Sequence, residues 1–399
     1  MPNFTTPWSQ ELVDYIKANY VDDYAVIDEF AATGSLWMWG GNYRGDNVAG
    51  SKSSPVQTAS GGTNWKQVSS GVDHRMAVKT DGTLWGWGNQ FYNQVNGSGG
   101  ADLATPIQVL VSDKWKYVSA SGNNTAAIRT DGTLWLWGPN TSGQLGNNNT
   151  GLGGPTQTTS GGNNWKTVST GVTTVAIKTD GTLWTWGDNS LGQLGNNNAA
   201  VTMVSSPIQT VSGGTNWKQV TSSAYGETIA AIKTDGTLWL WGSNGFAQIG
   251  DNTTAHKSSP VQTVAGGTNW KQVAATHYNT AAIKTDGTLW VWGDNSAGQL
   301  GDNTVVSKSS PVQTVAGGTN WKQTSAGYYG VSAIKTDGTL WTWGRNTGEG
   351  TLGDNTVVSK SSPVQTVAGG NNWKSLMIGY YRTNGAIHFY DAGNLYPNA

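Results

Sequence analysis

Hydrophobic and polar positions along this chain recur with a period of about fifty residues, far longer than a helix or strand repeat. The main marker is Leu-Trp-x-Trp-Gly, which occurs seven times, with its first tryptophan at Trp37, Trp85, Trp135, Trp184, Trp239, Trp290 and Trp341. A second marker, Trp-Lys, also occurs seven times, at Trp65, Trp115, Trp165, Trp217, Trp270, Trp321 and Trp373. Together they account for 21 of the 22 tryptophans and leave only Trp8 outside the repeat.

Within one period the alternation predicts four short strands. In the unit that starts at Trp270, strand a covers Trp270–Ala275, strand b Thr280–Thr285, strand c Thr288–Gly293 and strand d about Pro311–Val315. Asp286-Gly287 joins b to c as a two-residue hairpin turn, since glycine accepts the positive φ that such a turn requires. The same dipeptide stands at 81–82, 131–132, 180–181, 235–236 and 337–338. Pro311 cannot donate to a ladder, so strand d should be an edge. In strand c the two tryptophans point to one face, and the leucine and the intervening residue to the other. Both faces are apolar, so each sheet should lie between two others with its tryptophans in the core.

Four strands at this period predict an all-β chain, a seven-bladed β-propeller of four-stranded antiparallel blades over residues 34–399. The first repeat begins at strand c (Ser35–Gly40), while the last supplies strand a (Trp373–Ile378) and strand b (Asn384–Phe389). These halves are complementary, so the ring should be closed by N- and C-terminal half-blades. Asn394-Leu395-Tyr396 has the look of a degraded strand c and would compete for the same slot. Residues 1–33 form a separate segment with a net charge of −5. Thr6-Pro7 suits a helix start, and Leu12, Val13, Ile16 and Tyr20 share one face, which predicts a short acidic helix. That helix either packs on the ring or docks a larger assembly.

The string Trp292-Gly293-Asp294-Asn295-Ser296-Ala297-Gly298-Gln299-Leu300-Gly301 resembles the regulator of chromosome condensation repeat, and the resemblance covers about residues 34–390. Asn93-Gln94-Val95-Asn96 and Gly348-Glu349-Gly350-Thr351-Leu352-Gly353 depart from the pattern. The resemblance implies a seven-bladed propeller. In that family some members are exchange factors for a small nuclear GTPase that also touch chromatin, and some bacterial members are protein inhibitors of β-lactamases. A basic tail and a nuclear-localisation cluster are both missing from this sequence.

Composition narrows the chemistry. The chain has 56 glycines and no cysteine, which removes disulfides, thiolate metal sites and cysteine nucleophiles. No apolar run is long enough to span a membrane. Met1–Thr6 lacks the basic and apolar parts of a secretory signal, so synthesis in the cytoplasm is expected. A net charge of −1 gives no electrostatic reason to expect nucleic acid. Nucleophile-elbow, phosphate-loop, zinc-helix and calcium-loop strings are all missing, so neither an enzyme nor a cofactor or metal is expected. The Asp-Asn pairs at 251–252, 302–303 and 354–355 are read as turn chemistry. The lysines and arginines after the Trp-Lys tryptophan or at the end of strand b read as a solvated rim.

Comparison of the repeats with one another points to a binding face. In a four-stranded meander the b–c and d–a turns share one face, and here they are near-copies: Thr-Asp-Gly-Thr and Gly-Gly-(Thr/Asn)-Asn. The a–b and c–d loops share the opposite face and differ from repeat to repeat. They carry His74, Arg75, Phe91, Tyr92, Tyr225, His277, Tyr278, Tyr328, Tyr329, Tyr380, Tyr381 and Arg382, with Phe246, Arg345 and Glu349 beside them. Tyrosine, arginine and histidine on a rigid scaffold are suited to anchoring a protein or a glycan. The expected function is a non-enzymatic binding or structural propeller. The length and the Asn/Thr/Gly-rich, cysteine-free repeats suggest a phage or virion adhesin, fibre or decoration protein. The alternative is an inhibitor or exchange-factor-like interaction propeller.

Overall fold

A computed structural model describes residues 34–389, except 199, 224, 226, 328–329, 347, 349 and 379–382. The helix predicted over 1–33 and the strand-like Asn394-Leu395-Tyr396 lie outside the described residues. The described chain forms 28 strands arranged in seven four-stranded antiparallel sheets with the architecture of a β-propeller. Sheet 2 runs from Trp65–Ser70 to Leu103–Val109, sheet 3 from Trp115–Ser121 to Gly153–Gln157, and sheet 4 from Trp165–Ser169 to Met203–Gln209. Sheet 5 runs from Trp217–Ser222 to Lys257–Gln262, sheet 6 from Trp270–Ala275 to Lys308–Gln313, and sheet 7 from Trp321–Ala326 to Lys360–Gln365. Sheet 1 is built from both ends of this span, in the order Lys52–Gln57, Gly34–Gly40, Thr383–Phe389, Trp373–Ile378. Gly34–Gly40 pairs with Thr383–Phe389 without a break, from Gly34 opposite Phe389 to Gly40 opposite Thr383.

Sheet 6 shows how the repeat makes its strands. Strand d begins at Lys308, three residues before the predicted Pro311, because a register irregularity between Val291 and Gly293 lets Lys308 pair with Gly293. Pro311 falls in this interrupted stretch of an edge strand, where a missing N–H costs no ladder bond. The b–c turn is tied from several sides. Asp286 Oδ1 accepts the Thr288 N–H at 2.9 Å and the Thr288 hydroxyl at 2.7 Å, and the Trp290 indole donates to that hydroxyl at 2.9 Å. These hydrogen bonds, the hydroxyl's first, hold the Asp286 carboxyl below its ordinary range. Gly287 has φ 80°, and a Cβ there would lie 2.1 Å from the Thr319 carbonyl oxygen of the segment leading into sheet 7. The turn is therefore also a joint between sheets: the Trp321 N–H donates to the Gly287 carbonyl at 3.0 Å.

Strand a is the innermost strand, and consecutive a strands touch each other all the way round, including Trp373–Ile378 against Trp65–Ser70. Glutamine side chains stitch this inner wall. Gln272 donates to the Thr324 carbonyl at 3.1 Å and accepts the Thr324 N–H at 3.0 Å, so one amide spans two sheets. Gln67 does the same with Val118, and Gln219 with Val273.

The core lies between sheets rather than at one centre. Trp270 and Val273 of sheet 6, for example, pack with Ile232, Leu238, Leu240 and Ile249 of sheet 5. The paired tryptophans of strand c differ, which corrects the expectation that all are core. Trp292 is fully buried and donates to the Gln248 carbonyl at 2.8 Å, whereas Trp290 is half-buried. Trp290 sits at the turn end of its strand, where it packs against the edge of the sheet 5–sheet 6 core and a cation covers its outer side. Lys284 Nζ lies 4.5 Å from the centre of the Trp290 ring and 4.8 Å from that of Trp270. Lys79, Arg129, Lys178, Lys233 and Lys335 repeat this contact. The basic residues ending strand b are therefore caps on tryptophan rings, held by cation–π attraction, and not a freely solvated rim.

Candidate docking face

Of the twelve predicted contact residues, Tyr328, Tyr329, Tyr380, Tyr381 and Arg382 lie outside the described residues. The other seven fall into three groups with different environments.

His74 and Arg75 are not on the docking face. They are the first residues of strand b in sheet 2 (His74–Lys79) and are 0% and 1% exposed. The preceding loop is tight enough that a Cβ on Gly71 would lie 2.2 Å from the His74 ring. His74 Nε2 lies 2.9 Å from the Thr125 hydroxyl of sheet 3, so the imidazole bridges two sheets. Burial, with the neighbouring Arg75 charge adding to it, pushes its pKa down to about 3 and keeps it neutral. The Arg75 guanidinium donates to the carbonyls of Gly71 at 3.2 Å and His74 at 2.8 Å, and burial lowers its pKa to about 10. Both side chains fill the seam beneath the loop, where polarity at a strand start was mistaken for polarity at a loop tip.

Phe91 and Tyr92 lie on the c–d loop of sheet 2 and are exposed as expected, at 73% and 42%. Their rings meet edge to face at 4.9 Å.

Tyr225, His277 and Tyr278 are brought together across sheets 5 and 6, and two further residues complete their cluster. His277 Nδ1 lies 2.9 Å from a Glu227 carboxylate oxygen. The His277 ring stands 4.5 Å from Tyr278, 6.3 Å from Tyr225 and 6.4 Å from Phe246. Phe246 in turn meets Tyr278 edge to face at 4.4 Å and remains 46% exposed. Glu227 lies on the same variable loop as Tyr225 but was not among the twelve expected contact residues. Its signal was its distance from His277, one repeat period, which in a ring makes two loop residues neighbours.

Described residues of the loops holding this cluster are tied by hydrogen bonds. Ser223 Oγ accepts the N–H groups of Glu227 at 3.0 Å and Thr228 at 3.1 Å. In the c–d loop, Asn244 is fully buried, accepts the Ile249 N–H at 2.9 Å and donates to the carbonyls of Thr253 at 3.0 Å and Ala255 at 3.1 Å. The Gln248 amide accepts the Phe246 N–H at 2.9 Å and donates to the His277 carbonyl at 2.9 Å, locking the two sheets' loops together. Thr276 Oγ1 accepts the Tyr278 N–H at 3.2 Å. The result is a preformed aromatic patch with a carboxylate inside it, a surface that suits a partner's basic or aromatic side chain.

Known proteins share both the repeat and the fold. The family model described as the regulator of chromosome condensation (RCC1) repeat matches residues 180–231, 235–283 and 286–334, and a second model of the same description matches 65–94 and 270–299. The ultraviolet-B receptor UVR8 of Arabidopsis thaliana is 32% identical over 168 residues, which is 41% of this chain and 37% of that protein. The alignment thus spans little more than a third of that relative's length. Human WBSCR16 superposes with a TM-score of 0.75 at 19% identity, covering 89% of this chain and 99% of the other. Yeast RCC1 (Prp20), solved bound to Kap60, superposes with a TM-score of 0.77 at 16% identity, covering 91% and 90%. At such identities the two structures speak for the fold, and the family models speak for the repeats themselves: over the matched residues this chain carries regulator of chromosome condensation repeats.

Proposed function

We propose that this chain is a non-enzymatic interaction propeller, its seven sheets acting as the blades of one ring, which docks a protein partner through the variable loop face. The cluster of Tyr225, Glu227, Phe246, His277 and Tyr278 carries this reading, because it joins loops of two sheets into one patch whose parts lie outside the hydrophobic core. The yeast relative solved in complex with Kap60 supports the same class of role. A glycan-binding adhesin on a virion, the setting suggested by composition, would need flat ring faces open to sugars. Here Tyr278 stands edge to face against both Phe246 and His277, which favours a protein side chain seated beside them.

The test is to capture partners from the native source and measure the affinity of the purified partner for variants. F246S with Y278S should weaken it by at least about 2 kcal/mol, the scale of an interface hot spot, with little change in melting temperature. T285A with T336A, on the uniform face, should leave binding alone. If the second pair abolishes binding and the first does not, the docking face is the other one. Tight binding on a glycan array with no protein partner would favour the adhesin.

A further inference from the structure

The uniform face carries a second feature, independent of the docking cluster. Strand a of every sheet opens with Trp-Lys, giving Lys66, Lys116, Lys166, Lys218, Lys271, Lys322 and Lys374. In each sheet the register slips at this point. In sheet 6, Trp270 faces Lys284 and Gln272 faces Ile283, which leaves Lys271 as the extra residue of a β-bulge. The other six sheets repeat the slip. A bulge takes its extra residue out of the ladder and re-aims the side chain, and such bulges gather beside functional sites. Because the a strands are innermost and in mutual contact, the bulge lysines form a circle around the ring axis at the uniform-face end.

The charges around this circle differ in their engagement. The basic residues ending strand b lie over tryptophan rings. Lys166, Lys218, Lys271 and Lys322 are exposed and form no ion pair among the described residues, and Lys66 and Lys116 are half-buried. The b–c turns hold Asp81, Asp131, Asp180, Asp235, Asp286 and Asp337, each bound to the threonine two residues on. These turns join the second and third strands and therefore lie farther from the axis than strand a. The strand a lysines thus start nearer the axis than the turn carboxylates, of which Asp131 feels the Lys116 charge.

We propose that the bulge lysines Lys66, Lys116, Lys166, Lys218, Lys271 and Lys322 form a binding site for a compact polyphosphate, a small molecule whose phosphates radiate from one centre. Ammonium groups on flexible stems, started from positions around one axis, can each donate to a different phosphate, and such a ligand offsets their mutual repulsion. The outer aspartates act against an extended polyanion, because a nucleic-acid duplex crossing the face would have to pass over them.

The probe is myo-inositol hexakisphosphate, titrated into the full chain by calorimetry at low ionic strength. One molecule should bind per chain, with affinity falling as salt is added. K166Q/K218Q/K271Q/K322Q should weaken binding by about tenfold or more while circular dichroism stays unchanged. If that variant does not fold, K271Q/K322Q gives the same reading at smaller amplitude. F246S/Y278S, on the opposite face, should bind the probe normally, so loss of partner docking and loss of polyphosphate binding are separable. Absence of binding at low salt, unchanged affinity in the lysine variants, or tighter binding of a short DNA duplex than of the hexakisphosphate would each overturn the proposal.

Discussion

His74 couples stability to acid. Its ordinary pKa is 6.5, and in the fold it is about 3 because the ring is buried beside Arg75. Below pH 6.5 the unfolded chain takes up a proton that the folded chain refuses, so stability falls as pH drops from about 6.5 toward 3, and above that window the group contributes nothing. The slope approaches about 1.4 kcal/mol per pH unit for a single group. Denaturant melts of the wild type and H74Q between neutral and mildly acidic pH should therefore show a shallower decline in the variant, whatever its absolute stability. Equal slopes would mean that His74 is protonated in the fold. The turn aspartates lose their own stabilisation in acid, but equally in both proteins, so the difference isolates His74.

At the scale of the element, position along a strand decides what a residue is worth. Trp290 and Trp292 belong to one strand and point to one face, yet one is half-covered and capped by Lys284 and the other is fully enclosed. Trp292→Ala should cost about 3–5 kcal/mol, as large buried aromatics do, and Trp290→Ala clearly less. Chemical denaturation of the two variants checks the order, and a reversal would mean that the cation-capped ring carries the sheet. This difference also marks the limit of what could be read from the chain. Strands a to c and the Asp-Gly turns were visible because each is specified by a few adjacent residues and copied in successive units. The burial of His74 was not, because it depends on Thr125 in the neighbouring sheet, some fifty residues away. Tyr225 and His277 were both legible as residues of the variable loop face, and loops one period apart adjoin in a ring. The contribution of Glu227 needed the geometry of the side chains.

For the whole molecule, sheet 1 holds the circle shut. Removing residues 373–399 takes away two of its four strands and leaves Gly34–Gly40 with an unpaired edge. It also strips the packing of Trp373 and Leu376 against Ile334 and Leu340 of sheet 7. The truncated chain should aggregate or melt at a much lower temperature, as open edges beside bare apolar faces do. A soluble truncation with an unchanged melting curve would show that the ring does not depend on this seam.

The same seam imposes a timetable on synthesis. Among the described strands, Gly34–Gly40 is the first to be made and its partner Thr383–Phe389 the last. At the usual pace of about 5–20 residues per second, the wait is on the order of tens of seconds. Throughout that interval the nascent chain carries a strand with one side unpaired, while the sheets after it can assemble in sequence. The latch of the ring is thus also its most vulnerable point in biogenesis, and a moved chain break, placed between two complete sheets, would let each sheet close as it emerges.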